Sequence, residues 1–310
     1  MPVRIHNILC PIDFSEGSRR ALDHAVTLAR WYHARVSALH VYPLSIPVYG
    51  VSYAGPEGLQ PVLLTELERQ QLLSRLEAEV VEDRAATRLT IETVLDEAAN
   101  VPEAIVSRAR TTSADLIVIG THGRSGFERL MLGSVAEKVL RKAACPVLTV
   151  PAHAPDAVPR EAGSVRRILC PVDFSSSSED ALEYAASLAQ EAHARLTVLH
   201  VLELLPDLAE YADAVGLTEH RHARFQQART QLSHTVKAIV RETCKTDELV
   251  LVGRAYSEIL RVAGDQAADL IAMGVRGRGT TDLMFFGSTT NHVVRAARCP
   301  VLTIKGRSTR

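Results

Sequence analysis

The chain carries one run of motifs twice, in the same order. Asn7-Ile-Leu-Cys-Pro-Ile-Asp-Phe-Ser15 returns as Arg167-Ile-Leu-Cys-Pro-Val-Asp-Phe-Ser175. Ala38-Leu-His-Val41 returns as Val198-Leu-His-Val201, and Ala114-Asp-Leu-Ile-Val-Ile-Gly120 as Ala268-Asp-Leu-Ile-Ala-Met-Gly274. Cys145-Pro-Val-Leu-Thr-Val150 returns as Cys299-Pro-Val-Leu-Thr-Ile304. Preserved order means that a whole domain was duplicated, so one fold must serve both halves. The 310 residues fit two domains of ordinary size. We expect a first domain over 1–151, a linker over 152–164 and a second domain over 165–310. The linker is polar and holds two prolines and a glycine.

Each half alternates short apolar runs with helical periodicity. In the first half, strands are expected near His6–Cys10, Arg35–Tyr42, Arg88–Leu95, Asp115–Ile119 and Val147–Val150. Between them Ala21, Leu22, Ala25, Val26, Leu28 and Ala29 mark an apolar helix face, with Ser15 placed to cap it. Further helices are expected over Thr65–Ala86, from Pro102 to Thr111 and over Ser134–Lys142. Pro43 to Pro61 reads as a long loop, a length usual for functional or mobile segments, in which Tyr49 and Tyr53 either cover the loop's own small core or belong to a lid or partner surface. The second half repeats the scheme with a shorter loop, Glu203–Leu217, and a longer helix, about Thr218–Thr243. Strands alternating with helices give an α/β fold, a five-stranded parallel sheet with helices on both faces. Leu116-Ile-Val-Ile119 suits a strand buried on both sides.

Two turns in each half are chemically distinctive. After the fourth strand the glycines follow a fixed spacing: Gly120, two residues, Gly123, nine residues, then Gly133-Ser134. Gly274, Gly277 and Gly287-Ser288 repeat it. Glycine permits positive φ and close backbone approach, and a helix start offers free N–H groups and a positive dipole end, which suits phosphate. After the first strand comes Asp13, or Asp173. For strand order 3-2-1-4-5 the order reverses between strands one and four, so both turns meet at the crevice where α/β sheets bind ligands. A nucleotide is the natural ligand, with an acidic side chain for a ribose hydroxyl or base amine. His40 and His200 hold matched places and read as satisfied structural histidines.

Other classes find little support. Net charge is −1 and aromatics are 5%, so neither nucleic acid nor an anionic membrane is favoured. No apolar run reaches the roughly 18–20 residues that span a bilayer, and the N-terminus is too short and polar for a signal peptide. The chain lacks the P-loop, the dinucleotide fingerprint after strand one and the hydrolase elbow. Five cysteines without a CxxC read as small buried hydrophobes in a reducing cytoplasm, and no spacing suits zinc.

With these motifs the chain resembles the universal stress protein family in its tandem form. The resemblance covers both halves and rests on the glycine spacing, the Pro-x-Asp-Phe-Ser turn and the Cys-Pro-Val-Leu strand. The glycine pattern resembles that of the family's ATP-binding branch. It implies two Rossmann-like domains of the adenine nucleotide alpha hydrolase-like kind. It further implies a cytoplasmic, nucleotide-linked stress-response protein that binds ATP, with Mg²⁺, and is not primarily an enzyme. The binding set so implied is Pro11, Asp13, Val41, Gly120, His122, Gly123, Arg124, Gly133, Ser134 and Val135 in the first half. In the second it is Pro171, Asp173, Val201, Gly274, Arg276, Gly277, Gly287, Ser288 and Thr289. The last strands, Val147–Val150 and Val301–Ile304, are expected to pair antiparallel within the chain as a pseudo-dimer, and a homodimer of whole chains is compatible. The protein partner is unknown. Slow ATP hydrolysis, a scaffold with a degenerate site, and AMP or a cyclic nucleotide as ligand stand as alternatives.

Overall fold

The structure is a computed structural model and describes residues 3–44, 63–87, 89–121, 132–151, 165–203, 217–240, 243–275 and 287–306. Tyr49, Tyr53 and the expected linker 152–164 lie outside these residues. The chain forms two compact units. One contains β1 (Asn7–Pro11), α1 (Glu16–Tyr32), β2 (Arg35–Pro43), α2 (Glu66–Thr87), β3 (Ile91–Ala98), α3 (Val101–Thr111), β4 (Leu116–Gly120) and α4 (Ser134–Lys142). Its strands run parallel in the order β3-β2-β1-β4.

The other unit begins with β5 (Val147–Val150) and continues with β6 (Arg167–Pro171), α5 (Ser176–Glu191), β7 (Arg195–Leu202) and α6 (Leu217–Val240). β8 (Thr246–Val252), α7 (Ala255–Asp265), β9 (Leu270–Gly274), α8 (Ser288–Ala296) and β10 (Val301–Ile304) complete it. Here β8-β7-β6-β9-β10 realises the order 3-2-1-4-5 in full, all parallel. β5 pairs antiparallel with β10, Leu148 opposite Leu302, as the sequence leads one to expect of the two final strands. Thr149 Oγ1 donates to Val301 O and Thr303 Oγ1 to Val147 O, each at 3.1 Å.

The central strands are buried on both faces, as their unbroken apolar runs require: Leu116 to Ile119 and Leu270 to Met273 are all buried. α1 lays Ala21, Leu22, Ala25 and Ala29 against the sheet, none of them exposed. Ser15 Oγ accepts from Ser18 N at 3.2 Å and starts this helix, and His33 in a left-handed conformation (φ 51°) ends it. Strand β3 runs three residues later than the pattern suggests. Its acidic end stays in the strand because Arg108 of α3 pairs with Asp96, and Arg69 of α2 with Glu97. Among the described residues no helix is long and apolar enough to cross a membrane.

Candidate functional site

The turn after β1 is built around its aspartate. Asp13 Oδ1 accepts from Ser15 N at 3.1 Å and from Ser15 Oγ at 2.5 Å. The same serine caps α1, so the carboxylate is tied to the helix start. Asp173 repeats this with Ser175, at 3.1 and 2.6 Å. Asp13 is half-buried, and its Oδ2 accepts no protein hydrogen bond among the described residues. Between aspartate and serine the backbone turns left-handed at a phenylalanine, φ 63° at Phe14 and 62° at Phe174. A bulky residue seldom adopts that conformation, and such outliers gather at functional turns.

A ring stack supports each phenylalanine. Phe14 lies 4.5 Å from the His40 ring, and Phe174 lies 4.4 Å from His200. His40 Nδ1 donates to Ile12 O at 2.7 Å, and His200 Nδ1 to Val172 O at 2.8 Å. A carbonyl only accepts, so Nδ1 carries the proton in both. These are the satisfied histidines that the repeat suggests, and their task is to hold the aspartate turn.

The end of strand two is open on one edge. β1 leaves its ladder at Pro11 opposite Leu39, and Ile12 N closes it on Leu39 O at 2.8 Å. β2 runs on along β3, with Val41 opposite Asp96. On the β1 side, Val41 therefore extends beyond the last ladder rung. In the second unit β6 stops at Pro171 opposite Leu199 while β7 continues to Leu202, which leaves Val201 in the same position. Backbone N–H and C=O groups past a ladder's end can read the edge of a planar base.

The glycines differ from expectation in one respect. Gly133 (φ −58°) and Gly287 (φ −55°) cap α4 and α8 with ordinary negative φ. No positive φ occurs at Gly120 or Gly274. Their lack of a side chain answers a different need. A Cβ on Gly120 would come within 2.9 Å of the Gly17 carbonyl carbon and oxygen, and one on Gly274 within 2.6 Å of Ser177 Oγ. The start of α1 or α5 thus sits directly on the end of β4 or β9, and brings the aspartate turn against the start of the glycine loop.

α4 and α8 then begin without a side-chain cap. Gly133 N donates to Thr121 O at 2.7 Å and Gly287 N to Val275 O at 3.0 Å. Each bond pins its helix start beside the end of the fourth strand. Ser134 and Ser288 are exposed, and the glycine before each has no side chain to cap the first-turn N–H groups. Such donors, with the dipole behind them, suit a phosphate. In the second unit Thr290 Oγ1 donates back to Gly274 O at 3.0 Å, where the first has Ala136. His122, Gly123 and Arg124, and Arg276 and Gly277, lie outside the described residues. No group of three metal-ligating side chains occurs among the described residues. Cys10 and Cys170 are fully buried, which pushes both thiols far up and leaves them inert.

A sequence profile of the universal stress protein family matches residues 4–151 and again 164–305. A universal stress protein of Methanocaldococcus jannaschii is 39% identical over 143 residues, which are 46% of this chain and 80% of that protein. One of Thermus aquaticus is 34% identical over 140 residues, 45% of this chain and 98% of its own. Among solved structures, a universal stress protein of Archaeoglobus fulgidus superposes with a TM-score of 0.65 at 21% identity. That match covers 98% of this chain and 97% of the other.

Proposed function

This chain belongs to the universal stress protein family, and on that premise we propose that each half binds one adenine nucleotide, ATP with Mg²⁺. The observation that carries this is the duplicated meeting of a serine-tied aspartate turn with an uncapped helix start. Asp13 and Asp173 take the nucleoside end, with the backbone of Val41 and Val201 reading the base edge. Pro11 and Pro171 end their strands and leave room for it. Gly133, Ser134 and Val135, with Gly287, Ser288 and Thr289, offer first-turn donors to the phosphates. His122, Gly123, Arg124, Arg276 and Gly277 belong to the loop that completes this grip. The helix-start donors among the described residues are neutral N–H and hydroxyl groups, and a divalent cation would add charge toward a triphosphate.

Bound nucleotide would bias a conformation that a protein partner reads. We assign nucleotide-linked signalling in the cytoplasm rather than turnover, with slow hydrolysis as the alternative. Domain boundaries of 1–151 and 165–310 around a linker fit this reading. Titration of the purified protein with ATP and Mg²⁺ tests it. Saturable binding that D13A and D173A each reduce by one site supports the proposal, and no binding refutes it. Release of ADP from bound ATP at a steady rate would move the assignment to an ATPase.

A further inference from the structure

The two units place one long helix alike and finish its outer face differently. α2 joins β2 to β3, and α6 joins β7 to β8. Leu76 and Val80 are buried in α2 as Leu232 and Val236 are in α6, which fixes how the helices correspond. Opposite these, α2 carries Leu67, Ser74, Ala78 and Val81, all exposed, Leu67 at 65% and Val81 at 56%. Leu63, just before the helix, is also exposed. Of the four large apolar side chains exposed among the described residues, these are three, and apolar side chains gathered in one place mark a docking surface. The same face of α6 carries Ala223, Thr230, His234 and Lys237. An open groove of about 510 Å³ runs over it, lined by Gln226, Arg229, Thr230, Ser233, His234 and Lys237.

Charge separates the helices further. α2 has six acids and three bases, a net of −3, and α6 has four bases and one acid, a net of +3. Arg69 of α2 pairs with Glu97, and the Arg75 guanidinium carbon lies 4.1 Å from the centroid of the Phe14 ring, while Glu66 is exposed. On α6, Arg221, Arg224, Arg229 and Lys237 are all exposed, and none forms an ion pair among the described residues. We propose that α2 of one copy docks on α6 of a second copy of this chain. Two copies of α2 would set negative on negative, and two of α6 positive on positive, so charge selects the unlike pair. Laid antiparallel, Val81 meets Ala223, and Leu67 meets the methylene stem of Lys237. The same register sets Glu66 beside Lys237 and Glu77 beside Arg229. Ser74 and Ala78 are small and let the helix axes approach where they cross. An anionic lipid surface or a nucleic acid would also attract α6, but would leave the apolar face of α2 uncovered. Each copy keeps one face of each kind, so copies close into a ring or add end to end. Exposed charges steer encounter more than they tighten it, so the assembly is weak and salt-sensitive.

Sedimentation equilibrium of the full chain tests this at low salt and at about 1 M salt, where the screening length falls to about 3 Å. Wild type should self-associate at low salt and dissociate at high salt. R229E/K237E in α6 and L67K/V81K in α2 should each weaken association by about tenfold or more. Their urea midpoints should stay near wild type, because all four side chains are exposed. Mixed together, the two variants should associate one to one, since each brings the face that the other lacks. A wild type that stays monomeric at low salt overturns the proposal. So does self-association that R229E/K237E leaves unchanged, which would put the contact on another surface, or a mixture of the two variants that stays monomeric.

Discussion

The two oxygens of Asp13 have separate tasks. Oδ1 holds Ser15 and through it the start of α1, and under the proposed function Oδ2 serves the ligand. Substitutions should separate these tasks. D13N keeps an oxygen that can accept from Ser15, so the turn survives while the charge is lost. D13A removes both. We expect D13A to cost about 1 kcal/mol more stability than D13N in urea unfolding, with both weakening nucleotide binding. Equal stability of the two would mean that the Ser15 bonds carry no weight.

A second residue sets a pH dependence. Burial pushes the His24 imidazole down to about 4 from its ordinary 6.5. Between those values the unfolded chain takes up a proton that the folded one refuses. Stability should therefore be flat above pH 6.5 and fall progressively toward pH 4. Tyr184 occupies the matching place on α5, so H24Y should flatten that fall. Denaturant midpoints between pH 7 and pH 4 would check both.

At the scale of elements, the decisive contact is a helix start resting on a strand end. G120A and G274A each drive a Cβ into protein, within 2.9 Å of Gly17 backbone or 2.6 Å of Ser177 Oγ. Each should cost about 1–3 kcal/mol, read as a lower midpoint of chemical unfolding. G274A should also displace Ser177. Stability unchanged in both would mean that the helix start can retreat at no cost. This contact also shows which parts of the fold can be read from sequence. Glycine spacing marked the place, because two invariant positions in a duplicated context must share one geometric demand. It did not reveal the cause, since a packing helix and an approaching ligand demand the same missing side chain. Strands buried on both faces were legible for the opposite reason: Leu116 to Ile119 have no polar alternative. The end of β3 was not legible, because Asp96 and Glu97 are held in the strand by arginines from two other helices. Arg75 gave no local signal either. Its partner, Phe14, is distant in sequence, and only the fold brings the two together.

For the whole molecule, duplication is the governing fact. Each half repeats the aspartate turn, the open strand-two edge and the uncapped helix start. The halves have also diverged at named positions. Gly17 corresponds to Ser177 and Ala136 to Thr290. Two sites of unequal affinity are therefore expected, and a binding isotherm should need two constants. Strands β5 and β10 complete one unit through an antiparallel pair whose threonines bond across it. T149V with T303V removes both donors and should lower stability by about 1–3 kcal/mol in total, without changing nucleotide stoichiometry.

The most direct test of the account is the amount of nucleotide the protein holds. Protein freshly purified without added ligand would be heat-extracted, and the released nucleotide identified by mass spectrometry and counted per chain. Samples depleted of nucleotide would then be titrated with ATP and Mg²⁺. The account predicts two sites per chain at saturation, one in D13A, one in D173A and none in the double variant. Wild-type protein that neither carries nor binds adenine nucleotide would contradict it.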